Sequence, residues 1–168
     1  GVDDYIEAAK RIKAKYPKTE FNMLGFIEPT ENHYEAELEE LGKQGIVLYR
    51  GSQKDVKPWI KRAHAIIHPS TYGEGMSNVL LENASSGRLI ITTDNPGCQE
   101  TVNDCISGFI YHGGDVDALV QKIETVVHDM PNDVRKSFGL EGRKKVEREF
   151  SREVVIKAYL GKINELTQ

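Results

Sequence analysis

Several features that would assign the chain to a class at once are scarce or missing. No apolar run approaches the roughly 20 residues that a membrane-crossing helix needs, and no signal-peptide pattern opens the sequence. The only cysteines, Cys98 and Cys105, form neither a C-x-x-C pair nor a metal cluster, and the five histidines are scattered, so a reducing cytoplasm is the expected compartment. Basic charge is not in excess: 22 Lys and Arg stand against 26 Asp and Glu, a formal charge of −4. That balance argues against a nucleic-acid surface and against nonspecific membrane adhesion. No repeat, low-complexity tract or linker divides the chain. Its 39% hydrophobic and 29% charged residues suit one globular domain with an ordinary core.

Apolar spacing predicts a helix from Val2 that stops at Pro17, with Tyr5, Ile6, Ala9, Ile12 and Tyr16 on one face and Asp3 and Asp4 in its first turn. A strand over 21–27, an acidic helix over 32–43, a strand over 46–49 and a helix over 55–63 follow. Ala65-Ile66-Ile67 and Leu89-Ile90-Ile91-Thr92 read as buried strands on either side of a helix over 77–86 that Gly87 ends. A short helix over 99–102, a strand over 109–111 and three further helices complete the chain, the last set off by Ser151. Such alternation implies α/β architecture: a doubly wound, Rossmann-like parallel sheet with helices on both faces and ligands beyond the carboxyl ends of the strands. A unit of this kind begins on a strand, so at least one strand is expected upstream of Gly1.

The segment from Ser70 to Glu82 lies at that ligand edge, between a strand and a helix. Gly73 and Gly75 allow close backbone approach or positive φ, and the following helix start offers free N–H groups and a positive dipole end, which favour a diphosphate. Val79, Leu80, Leu81 and Ala84 suggest that Glu82 is buried, where its carboxylate needs good hydrogen bonds such as those of a ribose diol. Glu74 precedes the helix, where the sugar of a nucleotide sugar would lie. From these residues alone the alternative stands level: a loop carboxylate, a solvated helix residue, and glycines that serve only the turn.

The run from Ile67 through Thr93 resembles the signature of the retaining GT-B glycosyltransferases of family 4, including the two glutamates, Glu74 and Glu82, separated by seven residues. Val2 to Ala8, Leu48-Tyr49-Arg50-Gly51, Gly97 to Val102, Ser107-Gly108-Phe109 and Asp115 to Leu119 fall in the family's order as well. The resemblance implies that the chain is the C-terminal, nucleotide-sugar-binding domain over residues 1–168, with the acceptor-binding N-terminal domain absent. It implies that Glu82 binds the ribose and Glu74, the catalytic candidate, contacts the donor sugar. Backbone groups of Gly75, Met76, Ser77 and Asn78 would hold the diphosphate, and Arg50, Gly51 and Ser52 would line the base site. The reaction implied is transfer of a hexose or N-acetylhexosamine from UDP-sugar, or another nucleoside-diphosphate sugar, to a hydroxyl acceptor with retention, needing no metal or other cofactor. Bacterial surface polysaccharide synthesis is the expected setting. The acceptor would be lipid-linked or a polysaccharide, and the full-length enzyme could work at the inner face of the membrane.

The family's phosphate-binding Arg and Lys precede the helix that opens this chain, so the fragment alone is expected to be inactive. Arg88-Leu89 stands where the family usually has proline. Two alternatives come from other classes: a noncatalytic nucleotide-sugar-binding module, and a sugar-nucleotide epimerase of similar architecture, against which the Glu74 to Glu82 spacing speaks. Trp59 is expected in the core, His68 as a packed strand end without metal partners, and Glu100 as a support for the Gly97 turn. Cys98 and Cys105 are expected as small packing residues, and Tyr72 either lines the sugar pocket or packs. Residues 143–149 should form a solvated helix face. A hydrolase triad of Ser70, a histidine and Asp94 lacks its G-x-S-x-G elbow. The family's final helices brace the two domains, so Tyr159 and Leu160 are expected to have an apolar partner outside the chain.

Overall fold

A computed structural model describes residues 1–167. Helix α1 (Val2–Lys15) leads into strand β1 (Asn22–Met23), then α2 (His33–Lys43), β2 (Leu48–Tyr49), α3 (Lys57–Arg62) and β3 (Ala65–His68). Helix α4 (Asn78–Ser85), β4 (Leu89–Thr93) and β5 (Gly108–Tyr111) follow. Helices α5 (Val116–Glu124), α6 (Asn132–Glu149) and α7 (Arg152–Leu166) end the chain. All strand pairing is parallel, β1 with β2 and β3 with β4 with β5.

The five residues of β4 are all buried, and their alternation shows why both sheet faces carry helices. Leu89 and Ile91 join a core with Ile6, Ala9 and Ile12 of α1 and Leu119 and Ile123 of α5. Ile90, between them, points the other way, into a second core with Leu80 and Ala84 of α4 and Val146 of α6. A strand packed on both faces can be apolar throughout, which is why the continuous run in the sequence was legible as central. Exposed ion pairs from Arg11 to Asp117 and from Lys15 to Glu124 join α1 to α5 across the solvent side.

Several boundaries are shorter than the apolar pattern predicts. The first strand covers two residues instead of the expected 21–27, and β2 matches it in length because Asn22 pairs with Leu48 and Met23 with Tyr49. Beyond Met23 the chain leaves the sheet, and Phe26 is exposed. Helix α3 starts later than Asp55, because the Asp55 carboxylate accepts from the Lys57 N–H at 3.0 Å and closes a turn before it. The expected helix over 99–102 is a single 3-10 turn.

On α6, Arg143 with Glu147 and Lys144 with Glu141 form the expected solvated face, but Lys145 is buried and reaches Glu149 at 2.8 Å. Ser151 caps α7 by accepting from the Val154 N–H. No residue of α7 is buried, and Val155, Ile156, Tyr159, Leu160 and Ile163 are exposed along it. Among the described residues no helix is long and apolar enough to cross a membrane.

Candidate functional site

The carboxyl ends of β3 and β4 are stitched together by side chains. Thr92 Oγ1 donates to His68 O at 2.9 Å, Thr93 Oγ1 donates to Ser70 O at 2.8 Å, and Asn95 Nδ2 donates to the same Ser70 carbonyl. The loops beyond the strands are joined through backbone. Glu74 N–H donates to Pro96 O at 3.0 Å and Ser77 N–H to Gly97 O at 3.1 Å. Gly97 has φ +86, and a Cβ there would lie 2.6 Å from Glu74 O. Only glycine permits this closeness, so the loop after β4 sets the height of the loop that carries Glu74. Glu100 supports the turn as expected, accepting from Gly97 N–H at 2.8 Å.

Inside this frame, His68 Nε2 lies 3.0 Å from Glu74 Oε1 and 3.3 Å from Ser77 Oγ. The two ring and carboxylate side chains are half-buried, 23% and 25% exposed. Burial works to raise the Glu74 carboxyl, but the hydrogen bond and charge of His68, with help from the hydroxyls of Ser77 and Ser70, outweigh it and hold the group below the usual carboxylate value. Glu74 is therefore ionised at neutral pH. Since a carboxylate only accepts, the facing Nε2 must carry a proton.

Ser77 occupies the N-cap of α4, yet its side chain makes no capping hydrogen bond; Oγ is turned to His68 instead. A capping serine normally accepts from the second or third N–H of its helix. Here the side chain leaves those donors open at the positive end of the helix dipole, an arrangement suited to an anion. Gly73 and Gly75 have no positive φ, and nothing lies within 4 Å of where their Cβ atoms would be. The space beside them is open, and of the two expected glycine roles only close approach remains.

Glu82 departs from expectation: it is exposed, and its carboxylate makes no hydrogen bond or ion pair among the described residues. The apolar neighbours mislead because Leu80 and Ala84 face the second core while Val79 is half-exposed. Glu82 instead shares an exposed face with Asn78, one turn earlier, about 6 Å along the helix. Met76 is also exposed.

Arg50, Gly51 and Ser52 sit apart, beyond the end of β2. Arg50 Nε donates to Asn22 Oδ1 at 2.8 Å, and its guanidinium lies 5.2 Å from the centre of the Trp59 ring. Trp59 is only partly buried, donates from Nε1 to Gln53 Oε1 at 3.3 Å and carries Arg62 at 5.9 Å as well, so a hydrogen bond and cation–π contacts, and not the expected core, surround it. Arg50 and Ser52 line a cleft of about 470 Å³ with Phe26, Ile27 and Tyr49. No hydrogen bond or ion pair among the described residues links this cleft to Glu74 or Glu82.

Sequence spacing missed the partnership of His68, and the only signal for it was its position at a strand end facing a glycine loop. His68, Glu74 and Cys98 each offer one ligand atom, all within 4.8 Å of one another, so the histidine does have potential metal partners. Burial pushes the Cys98 thiol up. Cys105, by contrast, is exposed with φ 60, which corrects its expected packing role. Tyr72 is 71% exposed. The Ser70 hydroxyl donates to Tyr72 O, and Asp94 pairs with His112 at 2.8 Å, so no triad forms.

The sequence profile of the family described as "Glycosyl transferases group 1" matches residues 1–145. The chain is similar to the lipopolysaccharide core biosynthesis glycosyltransferase LpsE of Rhizobium meliloti, at 29% identity over 160 residues that cover 95% of this chain and 45% of LpsE. It is 28% identical over 155 residues to the capsular polysaccharide biosynthesis glycosyltransferase CapM of Staphylococcus aureus, covering 92% of this chain and 40% of CapM. The crystal structure of Anabaena HepE in complex with UDP matches the fold with a TM-score of 0.87 at 19% identity, over 98% of this chain and 45% of HepE. The chain spans less than half the length of these proteins.

Proposed function

Because the chain belongs to the group 1 glycosyl transferases, we propose that it is the donor-binding half of a retaining enzyme that transfers a hexose or N-acetylhexosamine from a nucleoside-diphosphate sugar. The observation that carries this reading is the start of α4, where an uncapped helix end lies between an ionised Glu74 and an unpartnered Glu82. The diphosphate would accept from the N–H groups of Gly75, Met76 and Asn78, that of Ser77 being held by the Gly97 carbonyl. A ribose one turn along would offer its two hydroxyls to Glu82, and the sugar on the other side would meet Glu74. Arg50 to Ser52 serve the base. The UDP in the HepE complex supports a uridine donor, and the surface-polysaccharide roles in the names of LpsE and CapM support that pathway class.

In the transfer, the bond from the anomeric carbon to the diphosphate oxygen breaks as the acceptor oxygen bonds to that carbon on the same face. The acceptor proton goes to a phosphate oxygen. No metal is required, because the developing negative charge meets the helix dipole and cationic side chains. Among the described residues no Lys or Arg is hydrogen-bonded or ion-paired to Glu74, Ser77 or Glu82; we propose that cations for the diphosphate are supplied from outside this chain.

Calorimetric titration with UDP, GDP and ADP tests the reading. Saturable binding of one nucleotide, weakened in Glu82→Ala by about 1.5–3 kcal/mol, the value of a hydrogen bond to a charged group, is the expected result. Equal affinity in the variant would remove Glu82 from the ribose.

A further inference from the structure

We propose that His68 is a positioning residue of the donor-sugar site, holding the Glu74 carboxylate toward the sugar while it draws Ser77 away from its capping role; this rests on the donor-site reading above. Three observations carry it. The histidine is itself immobilised: it is the last residue of β3, paired with Thr92 in register, and its carbonyl is held by the Thr92 hydroxyl at 2.9 Å. Its Nε2 meets Glu74 Oε1 at 3.0 Å and Ser77 Oγ at 3.3 Å, so one ring nitrogen touches both the sugar-facing carboxylate and the N-cap of the phosphate-facing helix. The loop between them needs such a tether, because Gly73 and Gly75 lie in open space and Thr71, Tyr72 and Met76 are exposed.

A free glutamate on such a loop would sample many rotamers, and fixing it when the donor arrives would cost binding free energy. With one carboxylate oxygen held by Nε2–H, that ordering is done before binding, which is what preorganisation of a sugar-binding carboxylate requires. The same contact keeps Ser77 Oγ from closing over the first N–H groups of α4. His68 thus acts on the donor through Glu74 and Ser77 without touching it. The other ionisable group at the ring is Cys98, whose sulfur lies within 4.8 Å of both ligand atoms.

The test compares affinities for UDP and for UDP-glucose, UDP-N-acetylglucosamine and UDP-N-acetylgalactosamine in wild type, His68→Ala and His68→Gln. Glutamine places a donor nitrogen near the position of Nε2 and should restore what alanine loses. The expected result is a loss of about tenfold in nucleotide-sugar affinity in His68→Ala, a smaller loss of about threefold for UDP as Ser77 regains its capping position, and recovery of both in His68→Gln. Unchanged nucleotide-sugar affinity in His68→Ala, or equal loss for UDP and its sugars, overturns the inference while leaving the donor-site reading standing. A wild type that binds none of these nucleotides removes that reading and the inference with it. Independently of folding in the alanine variant, ¹⁵N NMR of wild type should find His68 Nε2 protonated at neutral pH; a bare Nε2 overturns the inference.

Discussion

Gly97 and Gly114 share the same backbone angle, φ +86, but differ in surroundings, and the pair separates two costs that are usually mixed. Nothing lies within 4 Å of a Cβ placed on Gly114. Alanine there meets only the left-handed backbone penalty, about 1–2 kcal/mol. A Cβ on Gly97 would lie 2.6 Å from Glu74 O, and 2.8 Å from both Glu74 C and Gly75 O, all backbone atoms that no rotamer can move aside. To the same angular penalty Gly97→Ala adds overpacking of about 1–3 kcal/mol, for a total near 2–5 kcal/mol. In a chain of this size 1 kcal/mol shifts Tm by about 2–4 °C, so Gly97→Ala should melt several degrees below Gly114→Ala. The loop can relieve the overlap only by lifting Glu74 away from Pro96 and Ser77 away from Gly97, so nucleotide-sugar affinity should fall in Gly97→Ala and stay unchanged in Gly114→Ala. Thermal unfolding by circular dichroism and calorimetric titration read the two effects. Equal Tm losses in the two variants would refute the claim that the β4 loop sets the position of Glu74.

Glu74→Ala should weaken binding of a UDP-sugar more than binding of UDP; equal losses would move the carboxylate to the nucleotide end of the site. Because the folded Glu74 carboxyl is held below its ordinary value, its contribution to stability is present above the unfolded carboxyl pKa near 4.3 and is lost as pH falls through the lower folded value. The Tm gap between wild type and Glu74→Gln should therefore be full at pH 7 and close in strong acid. A gap that widened on acidification would reverse the sign of the His68 contribution.

Periodicity made the architecture legible in the sequence, because the central strands are apolar on both faces and the helices on one. Leu89 to Thr93 could be read as a buried strand, and α1 as a helix with one buried stripe, before any contact was known. Strand ends were less legible, since pairing needs a partner of equal length and a chain still in plane; Phe21 to Ile27 has the composition of a strand but only Asn22 and Met23 are paired. The spacing of Glu74 and Glu82 located the candidate site on the strand-to-helix loop. It misplaced Glu82, because residues two apart on a helix, such as Leu80 and Glu82, point to nearly opposite sides, and only the packed core reveals which side is covered.

What the sequence by itself determined is the alternation of strands and helices and the placing of Glu74 on the loop after β3 and of Glu82 on the helix that follows, all properties of local order and spacing. What only the tertiary structure decided is the chemistry around those carboxylates. His68 comes to Glu74 and Ser77 because β3 ends beneath the glycine loop, and Gly97 reaches Glu74 because β4 runs parallel beside β3. Such contacts depend on which atoms meet after the chain has folded back on itself, and distance in space is not written in the order of residues.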